Sequence, residues 1–200
     1  MAEKNVVREA VIDLGTNTFN LLIAQIDNGQ LIRIYSDKLP VLLGMGGINK
    51  GVITDSAMLR AKNALILFHE SCKKYKVVGI NGIGTSALRA ASNSSELIDF
   101  ARIELGIPIE VISGNREAEL IYHGVRLSNA ISNPCVIMDI GGGSTEFIGA
   151  SSTGINWTKS FDIGVSRIFQ QLGKPEEFKS EHIQSTALCY ERKMLWFYFM

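Results

Sequence analysis

Two stretches of this chain share one pattern: an aspartate ends an apolar run and opens a turn of glycine and hydroxyl residues that leads into another apolar run. The first reads Val-Ile-Asp-Leu-Gly-Thr-Asn-Thr over residues 11–18, and the second reads Ile-Met-Asp-Ile-Gly-Gly-Gly-Ser over residues 137–144. Their aspartates, Asp13 and Asp139, lie 126 residues apart, and a glycine and a hydroxyl recur at the same offsets. Since each stretch has the composition of a strand, a turn and a strand, the pattern predicts an internally duplicated fold.

Turns of this kind are suited to binding phosphate. Backbone N–H groups in a glycine-rich turn converge on an anion, and small residues let phosphate oxygens approach closely. The same residues are also ordinary hairpin chemistry, and for either turn alone that simpler interpretation is favoured. Because the aspartate recurs at the same offset in both copies, we favour phosphate binding by the two turns together. The candidate phosphate-binding residues are Gly15, Thr16, Asn17, Thr18, Gly141, Gly142, Gly143, Ser144 and Thr145.

A two-residue hairpin in the second stretch places two acids opposite each other. With the two central glycines at its tip, Asp139 pairs with Glu146, and like charges in that arrangement repel unless a cation lies between them. Carboxylate oxygens beside a phosphate site are typical of Mg²⁺. The same register in the first stretch pairs Asp13 with the neutral Asn20, so we expect the metal mainly at the second turn. Asp139, Glu146 and Asp13 are the candidate ligands; the alternative is that Glu146 is a solvated residue of an edge strand.

Composition excludes several classes of function. Lys and Arg balance Asp and Glu at 20 each in 200 residues, so no overall positive charge attracts nucleic acid or an anionic membrane. Three widely spaced cysteines favour reduced thiols and a cytoplasmic location over a disulfide framework. We expect neither a secretory signal nor membrane insertion, since no apolar run is long enough to span a bilayer.

The order of apolar patterns predicts an α/β fold with a mixed sheet. Strands are expected over residues 9–14, 18–26, 30–35, 77–83, 109–112, 147–150 and 154–161, and a further strand is expected to begin at residue 135. A loop is expected over residues 37–51. Helices are expected from Thr54 or Asp55 to about Lys74, around Arg89, from Ser94 or Ser95 to about Gly106, over residues 115–128, over residues 164–172 and from residue 182 to about 195. The polar, turn-rich segment 129–134 is the preferred domain boundary, which predicts domains of residues 1–128 and 129–200.

Two charged residues near strand ends have competing interpretations. Glu117 lies in the first turn of a predicted helix, where an acid commonly caps the helix and also has access to a cleft as a general base. From local sequence the cap is favoured. Arg89 follows Gly84-Thr85-Ser86 by one helical turn, and the solvated and phosphate-binding interpretations are about equal. No Walker-type lysine follows either glycine turn, and no serine lies in a nucleophile-elbow pattern.

Taken together, the motifs resemble the exopolyphosphatase and guanosine pentaphosphate phosphohydrolase family of the actin, sugar kinase and chaperone-ATPase superfamily. The resemblance covers about residues 10–167 and rests on the two aspartate turns together with Gly-Thr-Ser-Ala-Leu-Arg (84–89), Ile-Ser-Gly-Asn-Arg-Glu-Ala (112–118) and Gly-Val-Ser-Arg (164–167). The Ser-Gly-Asn-x-Glu-Ala element is the most specific of these motifs. The implied fold is the duplicated, ribonuclease H-like fold of actin-like ATPases, with mixed sheets flanked by helices.

The resemblance also implies functional roles. Glu117 matches the catalytic carboxylate, which reverses the local preference for a cap. Asp139 and Glu146 match acidic residues around Mg²⁺, and Arg89 matches an arginine that contacts phosphate. The implied reaction is removal of the terminal phosphate of inorganic polyphosphate, with guanosine pentaphosphate as the alternative substrate. The expected partner is inorganic polyphosphate or guanosine pentaphosphate; no nucleic acid is expected from the net charge, and a homodimer stays open.

Two departures from the family pattern qualify this expectation. Relatives commonly have Val-Arg-Leu-Gly where this chain has Val-Leu-Leu-Gly at residues 41–44, so a cation near the expected substrate path is replaced by Leu42. The family's second domain also continues beyond the matched region with a further glycine and serine turn. We therefore expect a complete first domain and an incomplete second one, and the open alternatives are a small-molecule kinase and a polyphosphate-binding protein without activity.

Overall fold

The computed structural model describes residues 7–27, 30–128, 131–177 and 179–194. The chain divides into two compact units, residues 1–113 and 114–200. Each unit is built around its own sheet and its own copy of the aspartate turn.

The first unit contains a five-stranded mixed sheet. Its strands and helices are β1 (Arg8–Leu14), β2 (Thr18–Asp27), β3 (Gln30–Pro40), α1 (Asp55–Lys74), β4 (Gly79–Gly84), α2 (Ser86–Ala90), α3 (Ser94–Leu105) and β5 (Ile109–Val111). The strand order is β3-β2-β1-β4-β5, with β1 to β3 antiparallel and β4 and β5 parallel to β1. The predicted α/β class and the mixed sheet are confirmed.

The core of the first unit follows from the two periodicities of its sequence. Alternate residues of β1, namely Ala10, Ile12 and Leu14, are fully buried on one face of the sheet. On α1, Leu65 and Phe68 belong to the helical stripe that packs in the same core cluster. This packing leaves the side chain of Asp13 on the opposite face of β1.

Two local expectations for this unit are wrong. The sequence predicts a loop from residue 37, but β3 continues to Pro40 because β2 is long enough to pair with it, Thr18 opposite Pro40. Proline is accommodated at that end because β3 is an edge strand. The N-cap of α3 is Asn93 and not a serine, and its side-chain amide bonds both the N–H and the carbonyl of Ile53, at 2.8 and 2.9 Å.

The second unit begins with a helix and continues with an antiparallel sheet. Its elements are α4 (Gly114–Ser128), β6 (Cys135–Ile140), β7 (Thr145–Ser151), β8 (Gly154–Phe161), α5 (Val165–Gln171) and α6 (Ser180–Met194). The strand order β6-β7-β8 repeats the β1 to β3 meander. Helix α4 packs on this sheet through Ala118 and Tyr122, which share a buried cluster with Ile148 and Ala150. The domain boundary expected at residues 129–134 stays a prediction. In the structure, the second compact unit begins with α4, at residue 114.

Across the residues that the structure describes, none of the helices has the length and apolar character needed to span a membrane.

Candidate active site

The second turn has the register expected from its sequence. Asp139 pairs with Glu146, and Glu146 in turn pairs with Ser160 on β8, so the three side chains form one row across the sheet. Ile137 and Ile148 are the next pair along the same face, and both belong to the cluster that packs against α4. Because side chains alternate between faces, the row of Asp139, Glu146 and Ser160 lies on the face that α4 covers.

Glu146 and Asp139 differ in their surroundings. Glu146 is 1% exposed, and the Ser160 hydroxyl donates a 2.7 Å hydrogen bond to its Oε1. Asp139 is exposed. A buried and an exposed carboxylate on opposed positions fit a magnesium ion, which is bound in proteins by one or two carboxylates and keeps several waters. No group of three or more His, Cys, Asp or Glu is found in the described part of the chain, so water and phosphate oxygens would complete the coordination.

Glu117 lies in the first turn of α4 and is half-buried. It immediately precedes the fully buried Ala118 and lies one helical turn before Ile121, which also packs in the cluster with the second sheet. Residues with this spacing share one face of a helix. The carboxylate of Glu117 therefore belongs to the helix face that covers the Asp139 and Glu146 side of the sheet.

The carbonyl groups of the second turn accept hydrogen bonds from the first residues of α5. The backbone N–H groups of Val165 and Ser166 bond the carbonyl oxygens of Gly141 and Gly142, at 3.0 and 2.8 Å. The side chain of Arg167 bonds the carbonyl oxygen of Gly143 at 2.7 Å from Nε. Because a trans peptide points its C=O and its N–H in opposite directions, the next N–H groups in the chain point away from this segment.

Three N–H groups of the turn are consequently available to an anion. Among the hydrogen bonds between described residues, none is donated by the backbone N–H of Gly142, Gly143 or Ser144. Gly143 and Ser144 are buried. Buried N–H groups are normally paired, so this turn has the donors expected of a phosphate-binding nest.

The first turn is organised in a similar way within its own unit. Asn17 accepts hydrogen bonds from the N–H groups of Val41 and Leu42 at 3.0 and 2.8 Å, and Thr16 accepts one from Gly44 at 3.0 Å. A Cβ on Gly15 would lie 2.8 Å from the Thr18 carbonyl oxygen, so only glycine fits there. Leu42 has a positive φ of 52°.

Asp13 is paired with Asn20 as expected, and the Asn20 amide donates to its Oδ2 at 2.9 Å. Both line an open cavity of about 630 Å³ on the first sheet, together with Val11, Leu21, Leu22, Ser36, Asp37 and Lys38. Since an amide already occupies one carboxylate oxygen, this copy is less suited to a cation than the second.

Arg89 lies on α2, just after the end of β4. Its Nη1 donates a 2.8 Å hydrogen bond to the Ile112 carbonyl, and the Ile112 N–H bonds the Gly84 carbonyl at 3.0 Å. The guanidinium is thus anchored where β4 and β5 end. A guanidinium has five N–H donors in a planar fork, the geometry that binds phosphate oxygens in pairs.

Glu117, Asp139, Glu146 and the glycine turn all lie in the second unit, where Asp139 and Glu146 are paired, whereas Arg89, Asp13 and residues 15–18 belong to the first unit. Sequence reasoning missed the contacts of Ser160 and Arg167. The Gly-Val-Ser-Arg motif is a sequence signal for Arg167. No comparable signal existed for Ser160.

Comparisons with known proteins identify the family of this chain. The model of the Ppx/GppA phosphatase family matches residues 22–193. The crystal structure of an exopolyphosphatase from Cytophaga hutchinsonii superposes with a TM-score of 0.90 at 39% identity, covering 94% of this chain and 60% of that one. The Aquifex aeolicus PPX-GPPA enzyme superposes with a TM-score of 0.74 at 25% identity, over 94% of this chain and 63% of that one.

A Haemophilus influenzae relative, named provisionally as an exopolyphosphatase, is 38% identical over 144 residues, which are 72% of this chain and 45% of the relative. The chain thus spans about half to two thirds of the length of the proteins that it matches. It belongs to the Ppx/GppA phosphatase family, and its two units have the duplicated, actin-like fold of that family.

Proposed function

We propose that this chain hydrolyses the terminal phosphate of inorganic polyphosphate in a Mg²⁺-dependent reaction. The observation that carries this proposal is the shared location of three features in the second unit. The helix face with Glu117 and the Asp139 and Glu146 pair border one side of the second sheet, and the unpaired N–H groups belong to the turn that joins β6 to β7. Water activation and charge stabilisation are the two requirements of phosphoryl transfer to water.

Each residue has a defined role in this proposal. Glu117 orients a water molecule and accepts its proton while the water oxygen attacks the terminal phosphorus and the bridging P–O bond breaks. The N–H groups of Gly142, Gly143 and Ser144 bind oxygens of the terminal group. Asp139 and Glu146 would hold Mg²⁺, which would supply charge neutralisation for the phosphate oxygens. Arg89 and the first turn belong to the first unit, and phosphate binding by these residues stays a prediction.

Guanosine pentaphosphate is the second candidate substrate, and one observation favours it. Leu42, bonded through its N–H to the first turn, is 38% exposed, so an apolar side chain lies beside this turn where relatives commonly have arginine. A substrate with fewer consecutive phosphates needs less positive charge there. Cytoplasmic location, the homodimer and the absence of a nucleic-acid partner stay predictions.

The test compares wild type with Glu117→Gln, each given long-chain polyphosphate and Mg²⁺, with release of orthophosphate followed over time. Because the amide cannot accept a proton, we expect the rate to fall by a factor of about 100 or more. Glu119→Gln is the matched control, since Glu119 lies on the same helix, has a side chain that is 45% exposed and forms an ion pair with Arg116.

Unchanged release by Glu117→Gln would contradict the assignment of the base. Release from guanosine pentaphosphate alone would select the second substrate. Binding of polyphosphate without release by wild type would indicate a binding protein without activity.

A further inference from the structure

The Gly-Val-Ser-Arg motif at residues 164–167 has no role in the proposed chemistry, yet it touches the whole glycine turn. Three consecutive carbonyl oxygens, those of Gly141, Gly142 and Gly143, are bonded by residues 165, 166 and 167 in order. The first two bonds come from the backbone. The third comes from a side chain and is the shortest of the three, at 2.7 Å.

The internal repeat shows that the third carbonyl is anchored in both units by different means. Gly143 corresponds to Asn17 at the same offset of 126 residues. Each of the two carbonyls is bonded by the segment that follows the third strand of its own meander. In the first unit the Asn17 carbonyl accepts the backbone N–H groups of Val41 and Leu42. In the second unit the guanidinium of Arg167 replaces these backbone donors.

The surroundings of Arg167 suit a fixed rather than a mobile side chain. Its side chain is 13% exposed, and its Nη2 lies 3.8 Å from Asp162 Oδ1. Gly164 allows the close approach of this segment, because a Cβ there would lie 2.5 Å from backbone atoms of Gly142 and Gly143. The planar guanidinium of an arginine held in this way donates its hydrogen bond in a fixed direction. The ammonium group of a lysine rotates freely and does not reproduce that geometry.

We propose that Arg167 is a positioning residue: by holding the Gly143 carbonyl, it directs the N–H of Ser144 toward the phosphate oxygen bound by the turn. The planarity of the peptide links the two groups, since they belong to one peptide unit. This inference rests on the proposed function in so far as the bound anion is a phosphate group. The orientation of the Ser144 N–H is a property of the chain itself and is measurable without substrate.

The experiment uses the full 200-residue chain labelled with ¹⁵N, as wild type, Arg167→Lys, Arg167→Gln and the control Arg126→Gln, with Arg126 exposed on α4. Amide spectra are recorded without ligand and during titration with tripolyphosphate. Without ligand, we expect both Arg167 variants to shift the Ser144 amide more than any amide of α6. With ligand, we expect both variants to raise the Kd about tenfold, the loss typical of one hydrogen bond to a charged group. The control should match wild type.

Three outcomes would overturn the proposal. Recovery of wild-type affinity by Arg167→Lys would show that the charge contacts phosphate directly. A Ser144 amide unchanged in both variants would show that the carbonyl bond does not orient it. A wild-type Arg167 Nε–H signal that exchanges freely, or moves strongly on titration, would show that this group is not held by Gly143; this last measurement needs no variant to fold.

The experiments distinguish failure of the proposed function from failure of the inference about Arg167. Wild type that releases no phosphate from polyphosphate contradicts hydrolysis, but the comparison of unliganded amides still decides the role of Arg167. If wild type hydrolyses polyphosphate, we expect the Arg167 variants to raise KM and lower kcat together, since the turn binds the group that reacts. Unchanged kinetics in both variants would contradict the inference alone.

Discussion

Glu146 is a buried carboxylate beside a second carboxylate, Asp139, on the neighbouring strand. The Ser160 hydroxyl donates a hydrogen bond to its Oε1 and so helps to orient the carboxylate. Groups of this kind around metal ligands set ligand orientation. At the residue scale, Ser160 is therefore the side chain through which the metal affinity of this site is best tested.

We expect Ser160→Ala to raise the Mg²⁺ concentration for half-maximal phosphate release by about tenfold, as loss of an outer-shell partner usually does. The reason is that Glu146 loses the hydrogen bond that orients its carboxylate. The measurement is a Mg²⁺ titration of orthophosphate release at saturating polyphosphate.

The matched control for this prediction is Ser151→Ala, which removes an exposed hydroxyl bonded to Thr153 and Asn156 near the other end of the hairpin. It should leave the Mg²⁺ dependence unchanged. Equal Mg²⁺ dependence in wild type and Ser160→Ala would show that the hydroxyl does not tune the metal site.

At the element scale, the two glycine and hydroxyl turns are bound by following segments that differ in type. The first is held by the loop over residues 41–44, and the second by the start of α5. Helix α5 approaches closely only because Gly164 has no side chain, since a Cβ would overlap backbone atoms that cannot move independently. This contact ties the geometry of the turn to the packing of α5.

We expect Gly164→Ala to lower the free energy of unfolding by about 1–3 kcal/mol, the usual cost of overpacking. Gly124→Ala is the matched control, because Gly124 lies in α4 with no other atom within 4 Å of an added Cβ. That control should raise stability by about 0.5–1 kcal/mol, since alanine is the better helix former. Urea unfolding followed by far-UV circular dichroism measures both. Equal stability of the two variants would contradict the close contact of α5 with the turn.

The two sheets also differ in how the face that carries the aspartate is covered. In the second unit α4 packs on that face, whereas in the first the corresponding face borders an open cavity. The repeat in sequence is therefore not matched by a repeat in packing. Helix α4 covers this face of the second sheet, and Glu146 is therefore a buried carboxylate. The turn alone does not account for this burial.

At the scale of the whole molecule, the two units bury different amounts of apolar surface. The first has a large core cluster that includes Phe19, Phe68 and Cys72, whereas the second has a smaller one around Tyr122 and Ile148. Val136, Met138 and Ile140 on the outer face of β6 are about half exposed. We infer that the first unit accounts for most of the stability of the chain.

Cys72 provides a pH-dependent reporter of the first unit. Burial raises the pKa of its thiol to about 11 from an ordinary value of 9.0. A group with a raised pKa stabilises the folded state below its unfolded pKa, and this contribution is lost as pH rises toward the folded pKa. We therefore expect the urea midpoint of wild type to fall between pH 9 and pH 11. The drop should be smaller in Cys72→Ala, which has no thiol to ionise, and an equal drop in both would contradict the prediction.

How far the sequence predicts this structure depends on whether a feature is local. The pairing of Asp139 with Glu146 follows from a two-residue turn, because the turn sets the register of the hairpin. The pairing of Glu146 with Ser160 does not, since an irregularity between Gly149 and Ala150 shifts the register of β7 and β8. The N-cap of α3 was likewise missed because Asn93 is selected by its bonds to the distant Ile53.

By itself, the sequence determined the duplicated aspartate turns, the α/β class, the nature of the core positions and the candidate residues of the family's chemistry. All of these features follow from local sequence patterns that are only a few residues long. The tertiary structure alone decided that α4 covers the second sheet, that Glu146 is buried against Ser160 and that Arg167 holds the Gly143 carbonyl. These depend on contacts between segments far apart in the chain, whose geometry is set by packing and not by local preference.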